Sequence, residues 1–201
     1  MKRVLLLIPE GAELFETAAF FDVLGWASAE GSEPIQVVTV GLEPEVRSAF
    51  GLRITPDRLL ADVDVDEFDA LAVPGGFEEY GFYRQAYSNE VSDLVRAFDG
   101  QGKPIASICV GALPLAHSGV LDGRRATTYH LSNGYRRRQL ARFNVEVVDE
   151  SVVRDRNIVT STSPATAVEV ALILVEALTD RDNAVKIRHL MGFEITTEET
   201  R

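Results

Sequence analysis

The chain alternates along its length between short apolar runs and longer stretches whose apolar residues recur at helical spacing. The runs are "RVLLLIP" (3–9), "IQVVTV" (35–40), "FDALAVPGG" (68–76) and "PIASIC" (104–109). Such runs, bounded by Pro, Gly or acidic residues, read as strands buried on both faces. A strand with no polar face needs cover above and below, and helices between parallel strands supply it. The helical stretches are Glu13–Glu30, Asn89–Phe98, about Val110–Ser118 and Pro164–Leu178, with one more short helix after Thr179. Pro164 suits a first helical turn. Together they predict an α/β sandwich around a mostly parallel central sheet.

Other segments fill in the plan. "EVRSAFGLRITPD" (45–57) reads as a short hairpin around Phe50-Gly51, and "GRRATTYH" (123–130) as a further strand. "VEVVDESVVRDRNIVTS" (145–161) reads as two or three short strands with a turn at Asp155-Arg156-Asn157. At 201 residues the chain is read as one domain, 1–201, with the polar tail from about 192 frayed. The start, Met1-Lys2-Arg3 and then "VLLLIP", has the basic opening of a signal peptide. Its apolar core is too short and Pro9-Glu10 ends it, so it reads as a first strand.

Charge and cysteine usage narrow the function classes. A net charge of −11 argues against nucleic acid, whose phosphates need a basic face. "YRRRQ" (135–139) is the local exception and reads as a solvated helix face. No apolar run is long enough to span a bilayer. One cysteine cannot form an internal disulfide, which points to a reducing compartment and so to the cytoplasm.

Parallel α/β sheets bind ligands at the carboxyl ends of their strands. Here those ends carry "PEGAELFE" after the first strand, Pro74-Gly75-Gly76, Cys109, Tyr129-His130, and Ser161-Thr162-Ser163. Cys109 sits where a strand turns sharply into a helix. That is the mechanics of a nucleophile elbow, with Gly111 allowing close approach. A helix N-terminus favours thiolate, the reactive form; the alternative is a small buried core cysteine. Gly75-Gly76 is an oxyanion hole or an ordinary tight turn. Glu16, with Glu13 ahead of it, complements the helix dipole or, if buried, is a carboxyl able to exchange protons near neutral pH. Among His117, His130 and His189, only His130 lies at a strand end where it could partner Cys109.

Five segments in order, "GAELFET" (11–17), "DALAVPGG" (69–76), "IASICVGALPLA" (105–116), "GRRATTYH" (123–130) and "VTSTSPATAVEVALILVEAL" (159–178), resemble the ThiJ/PfpI family, the superfamily of the parkinsonism-associated protein deglycase and the glyoxalase III enzymes. The resemblance runs from Lys2 to Leu178. It implies a flavodoxin-like three-layer fold and a homodimer. It also implies a cysteine nucleophile at Cys109, a protonated glutamate at Glu16 bonded to the sulfur, and backbone donors at Gly75, Gly76 and Val110.

Two positions depart from that pattern. Family members often carry a histidine directly after the cysteine, where this chain has Val110, or at the strand end, where it has Tyr129. His130 lies one position later, and such a shift reverses the side of a strand that a side chain faces; either the backbone turns at the strand end and His130 reaches the thiol, or Tyr129 fills that place in the pocket. Amidotransferase relatives need a His-x-Glu where this chain has "SPATAVE", and DNA-binding relatives add a helical domain for which the chain ends too soon.

The expected function is cysteine-dependent chemistry on a small reactive carbonyl such as methylglyoxal or glyoxal. Cys109 attacks, Glu16 shuttles the proton, and neither metal nor organic cofactor is implied. The alternatives are a redox sensor with an oxidisable Cys109 and, with little in the sequence to support it, an intracellular peptidase. The aromatic loop "FEEYGFYRQAY" (77–87), with Phe77 and Tyr80, either lids the pocket or forms a short packed helix. The aromatic surplus of "LFETAAFFDVLGW" (14–26) points to an intersubunit contact.

Overall fold

A computed structural model describes residues 1–193. In chain order the strands are β1 (Lys2–Leu7), β2 (Ile35–Gly41), β3 (Val46–Arg47), β4 (Arg53–Ile54), β5 (Arg58–Leu59), β6 (Ala70–Val73), β7 (Ile105–Ser107), β8 (Arg125–Ala126), β9 (Glu146–Val147), β10 (Val152–Asp155) and β11 (Ile158–Ser161). The α-helices are α1 (Leu14–Glu30), α2 (Phe82–Ala86), α3 (Asn89–Gly100), α4 (Ala112–His117), α5 (Tyr135–Leu140), α6 (Ala167–Leu178) and α7 (Arg181–Leu190). None of the described helices is long and apolar enough to cross a membrane. The tail from 194, expected to fray, lies outside the described residues.

The central sheet has the order β10-β11-β7-β6-β1-β2-β5, parallel except for β10, which pairs antiparallel with β11. Helices α1, α6 and α7 pack together on one side, and α2 through α5 form the other layer. The apolar strand pattern has its cause in this geometry: Val4 through Leu7 of β1 and Ala70 through Val73 of β6 are wholly buried, covered from both sides. Full burial of a leucine side chain is worth about 1.5–3 kcal/mol. One continuous core joins these strands to Phe20, Phe82 and Phe98 from the helices.

The hairpin forms as β3 paired antiparallel with β4, and the region after Val145 gives three short strands with Arg156 at positive φ in the turn. One expectation is corrected. "GRRATTYH" is not a strand of the central sheet; only Arg125–Ala126 is extended, paired with β9 in a separate two-stranded sheet. Beyond Ala126 the backbone finds side-chain partners instead of a ladder: Thr127 N–H donates to Thr160 Oγ1 at 3.0 Å. Tyr129 and His130 therefore lie in a loop.

Candidate active site

Strands β1, β6 and β7 are parallel neighbours, so their carboxyl ends bring together the start of α1, the Pro74-Gly75-Gly76 loop and Cys109. Cys109 has φ +55°, the left-handed region that L-residues rarely enter. Strain of this kind costs about 1–3 kcal/mol and persists only where the surroundings impose it. They do so here. Gly111 N–H closes the turn on the Ile108 carbonyl at 2.8 Å, and the Thr128 hydroxyl donates to the Cys109 carbonyl at 2.8 Å. Gly111 presses so close to β6 that a Cβ would stand 2.7 Å from the Val73 carbonyl oxygen. Any larger residue would force the elbow apart.

Glu16 is fully buried in the first turn of α1. Its Oε2 accepts a 2.6 Å hydrogen bond from Gly75 N–H. Its Oε1 has no partner of good geometry; the carboxyl's titration is coupled to the Cys109 thiol. Burial pushes the Glu16 pKa up to about 8, the nearby Glu13 charge adds to this, and the Gly75 and Cys109 interactions oppose it. Glu16 is therefore mostly protonated at neutral pH. Half-buried Glu13 is itself raised by desolvation.

The thiol departs from the expectation of a lowered pKa. Burial pushes it well above the ordinary thiol value, and the Glu16 charge pushes it further. The nearby Val110 N–H pulls the other way. The favourable end of a six-residue helix does not offset removal from water. Because Glu16 keeps its proton at neutral pH, the thiol does not then face a full carboxylate charge.

The backbone donors also differ from expectation. Gly75 N–H is committed to Glu16, so it positions the carboxyl rather than a substrate oxygen. A Cβ at Gly75 would sit 2.9 Å from Glu16 Oε2 and 3.0 Å from the Val110 nitrogen, so the two groups converge on this glycine. Gly76 N–H makes no hydrogen bond among the described residues. It and Val110 N–H remain as donors.

His130 is exposed and makes no side-chain hydrogen bond among the described residues, while Tyr129 is half-buried against the core. His117 stacks on Tyr87 with ring centroids 4.5 Å apart, and His189 is exposed on α7. The 77–87 loop folds into a 3-10 turn and the short helix α2. Phe77, Tyr80 and Phe50 form an aromatic trio on its outer side, with centroids 5.3–6.2 Å apart. Among the described residues no cluster of His, Cys, Asp and Glu could hold a metal ion.

A strained cysteine follows β7, a buried glutamate comes from α1 and glycines lie between them; over the chain that carries this arrangement, the DJ-1/PfpI family model matches residues 2–177. The chain belongs to the DJ-1/PfpI family. Within it, the chain is 34% identical over 188 residues to Protein dj-1beta of Drosophila melanogaster, covering 92% of this chain and 94% of that one. The crystal structure of Drosophila melanogaster DJ-1beta superposes with a TM-score of 0.85 at 32% identity, covering 96% and 99% of the two chains. The glutathione-independent glyoxalase DJR-1.2 of Caenorhabditis elegans is 32% identical over 176 residues, 87% of each chain. The chain spans only 46% of the Protein DJ-1 homolog A of Arabidopsis thaliana.

Three further residues make contacts that the sequence does not single out. Thr128 locks the elbow through its hydroxyl. Tyr83 carries a buried hydroxyl with no partner among the described residues, and Arg136 of α5 lies 5.0 Å over its ring. Only the aromatic density of the 77–87 loop hinted at Tyr83; nothing in "YRRRQ" separates Arg136 from its neighbours.

Proposed function

We propose that the protein is a cysteine-dependent glyoxalase- or deglycase-type enzyme acting on small reactive carbonyls, with Cys109 as nucleophile and Glu16 as proton shuttle. The observation that carries this reading is a fully buried carboxyl, held by Gly75 N–H at 2.6 Å, at the same sheet edge as a strained thiol. The glyoxalase named among its relatives supports the substrate class.

Glu16 gives up its proton near pH 8, while burial holds the thiol proton on to higher pH. In the singly ionised pair, the carboxylate takes the thiol proton as the sulfur forms a bond to the aldehyde carbon. The carbonyl electron pair moves to oxygen, which Gly76 and Val110 N–H groups hold and Glu16 then protonates. With a 1,2-dicarbonyl, Glu16 next moves the hydrogen of that carbon, as a proton, to the neighbouring carbon by way of an enediol. This leaves a thioester and a hydroxyl. Water cleaves the sulfur–carbon bond, the 2-hydroxy acid departs and the thiol is restored. One methylglyoxal and one water give one lactate. The lone thiol on which this depends fits a reducing compartment, and we place the protein in the cytoplasm.

The test is direct: purified protein with methylglyoxal, no thiol cofactor added, and lactate measured. Stoichiometric lactate is expected. Consumption of the aldehyde with only adducts formed on Lys and Arg side chains would overturn the assignment.

We also read the chain as a homodimer. Phe15, Phe21 and Trp26 are exposed on α1. The β3–β4 hairpin, bonded to the start of α1 through Ala49 N–H and the Ala12 carbonyl, adds exposed Phe50 and Leu52. Light scattering at micromolar concentration is expected to give twice the chain mass; a monomer mass would refute it.

A further inference from the structure

The elbow that carries Cys109 is tied to the strands on both sides of β7. On the β6 side, Ile108 N–H donates to the Val73 carbonyl at 3.2 Å. On the β11 side the strand pairing ends earlier, at Val159 opposite Ala106. Two threonines span the remaining distance. Thr160 of β11 accepts at its Oγ1 from Thr127 N–H at 3.0 Å, and the next residue, Thr128, donates from its hydroxyl to the Cys109 carbonyl at 2.8 Å. All three threonines are buried, so both bonds are made away from bulk water, where they are strongest. The segment leaves its strand at this point because these groups turn to β11 and to the elbow.

Among the described residues, Thr128 is the one side chain that hydrogen-bonds to the backbone of residue 109. The bond lands on the residue whose φ is +55°. Strain of this kind and a hydrogen bond from a buried hydroxyl are of the same order, so loss of the bond removes what offsets the strain.

The carbonyl that Thr128 holds shares its peptide with the Val110 N–H. A peptide is planar, and in the trans form its C=O and N–H point in opposite directions. Fixing the oxygen on one edge therefore aims the N–H on the other. That second edge faces the site: a Cβ on Gly75 would stand 3.0 Å from the Val110 nitrogen and 2.9 Å from Glu16 Oε2. The thiol senses the same donor, since the Val110 N–H draws its pKa down. Glu16, Gly75 and Val110 thus meet on the side of the peptide away from Thr128.

Resting on the carbonyl-chemistry reading above, we propose that Thr128 is a positioning residue for the oxyanion donors: by holding the Cys109 carbonyl, its hydroxyl aims the Val110 N–H at the oxygen that gains charge when the thiol attacks. Thr128 touches no substrate. It acts through the 109–110 peptide, and Thr127 with Thr160 anchors it to β11.

The test compares wild type with Thr128→Val, which removes the donor and keeps the shape, and Thr128→Ser, which keeps the donor. Misaiming one oxyanion donor should lower kcat for methylglyoxal by about 10²-fold in the valine variant. KM should stay within about twofold, because the lost interaction is made only in the transition state. Serine should hold kcat within about threefold of wild type, since the bond to the carbonyl remains. Crystal structures supply a readout that needs no turnover: the 109–110 peptide should rotate and residue 109 should leave positive φ in the valine variant, and keep both in the serine variant. Equal kcat losses in valine and serine would mark a packing role for the threonine and overturn the proposal. So would an unchanged kcat in the valine variant, a rise in KM with kcat kept, or an unmoved peptide. Should Thr128→Val fail to fold, Thr160→Val, which loosens the anchor one bond further away, should lower kcat by a smaller factor with KM unchanged; an unchanged kcat there would refute the clasp. Wild type that makes no lactate would refute the carbonyl reading alone, with the orientation of the 109–110 peptide in the variants still deciding Thr128.

Discussion

Cys109→Ser is expected to reduce lactate formation from methylglyoxal by on the order of 10³-fold or more, the scale seen when a catalytic nucleophile is removed. The reason lies in the pairing of acidities. A carboxyl whose pKa is near 8 can take a proton from a thiol held above its usual value, but not at any useful rate from an alcohol many orders of magnitude less acidic. The raised thiol pKa is not itself a defect: intrinsic nucleophilicity rises with basicity, so a thiol ionised by its neighbour at the moment of attack reacts well. Serine fits the elbow, being slightly smaller at a buried position, and the Thr128 hydrogen bond goes to the backbone of residue 109. Circular dichroism and thermal melts should therefore match wild type. Lactate production by the serine protein at a wild-type rate would place the chemistry elsewhere.

Much of the fold was legible because burial on both faces leaves a plain mark in sequence. The strands β1, β6 and β7, as well as α6, are apolar almost throughout, and they form the centre of the sandwich. The short edge elements were harder to read. β5 is two residues long, too short to carry a period. "GRRATTYH" has β-branched and aromatic residues that favour extension, yet its backbone turns to Thr160 and its Thr128 hydroxyl to the elbow. That departure also decides His130: a residue four positions past the last extended one has no register to inherit, and it lies exposed in the loop.

At the site, the convergence of Cys109, Glu16 and Gly75 could be read from strand ends and the family resemblance. The direction of a single N–H could not. Gly75 and Gly76 are alike in sequence, but one serves Glu16 and the other stays free. The thiol's raised pKa was missed for a related reason. Position at a helix start is visible in sequence, whereas depth of burial depends on what the rest of the chain packs around it.

Glu16→Gln is expected to flatten two pH profiles at once. Glu16 has its pKa raised from 4.5 to about 8 in the folded protein. Between those values the unfolded chain has lost this proton and the folded chain has kept it, so stability falls as pH rises. The contribution is full below about pH 4.5 and is lost on the way to pH 8, a swing on the order of 3–5 kcal/mol. Glutamine resembles the protonated carboxyl: its oxygen can accept from Gly75 N–H and its amide can face the sulfur. The variant should thus match wild type in stability near pH 4.5 and exceed it at pH 8, as read from denaturant midpoints. Activity should move the opposite way. Wild-type kcat/KM should climb with pH towards a plateau above about 8, as the pair gives up its first proton and gains a base. Glutamine cannot be that base, so kcat/KM should drop by about 10²–10⁴-fold and lose the inflection near pH 8. A glutamine variant that keeps the wild-type inflection would assign the titration to another group and remove Glu16 from the chemistry. One that loses activity without gaining stability at pH 8 would mean that the carboxyl is already ionised at rest, with the thiol proton leaving by another route.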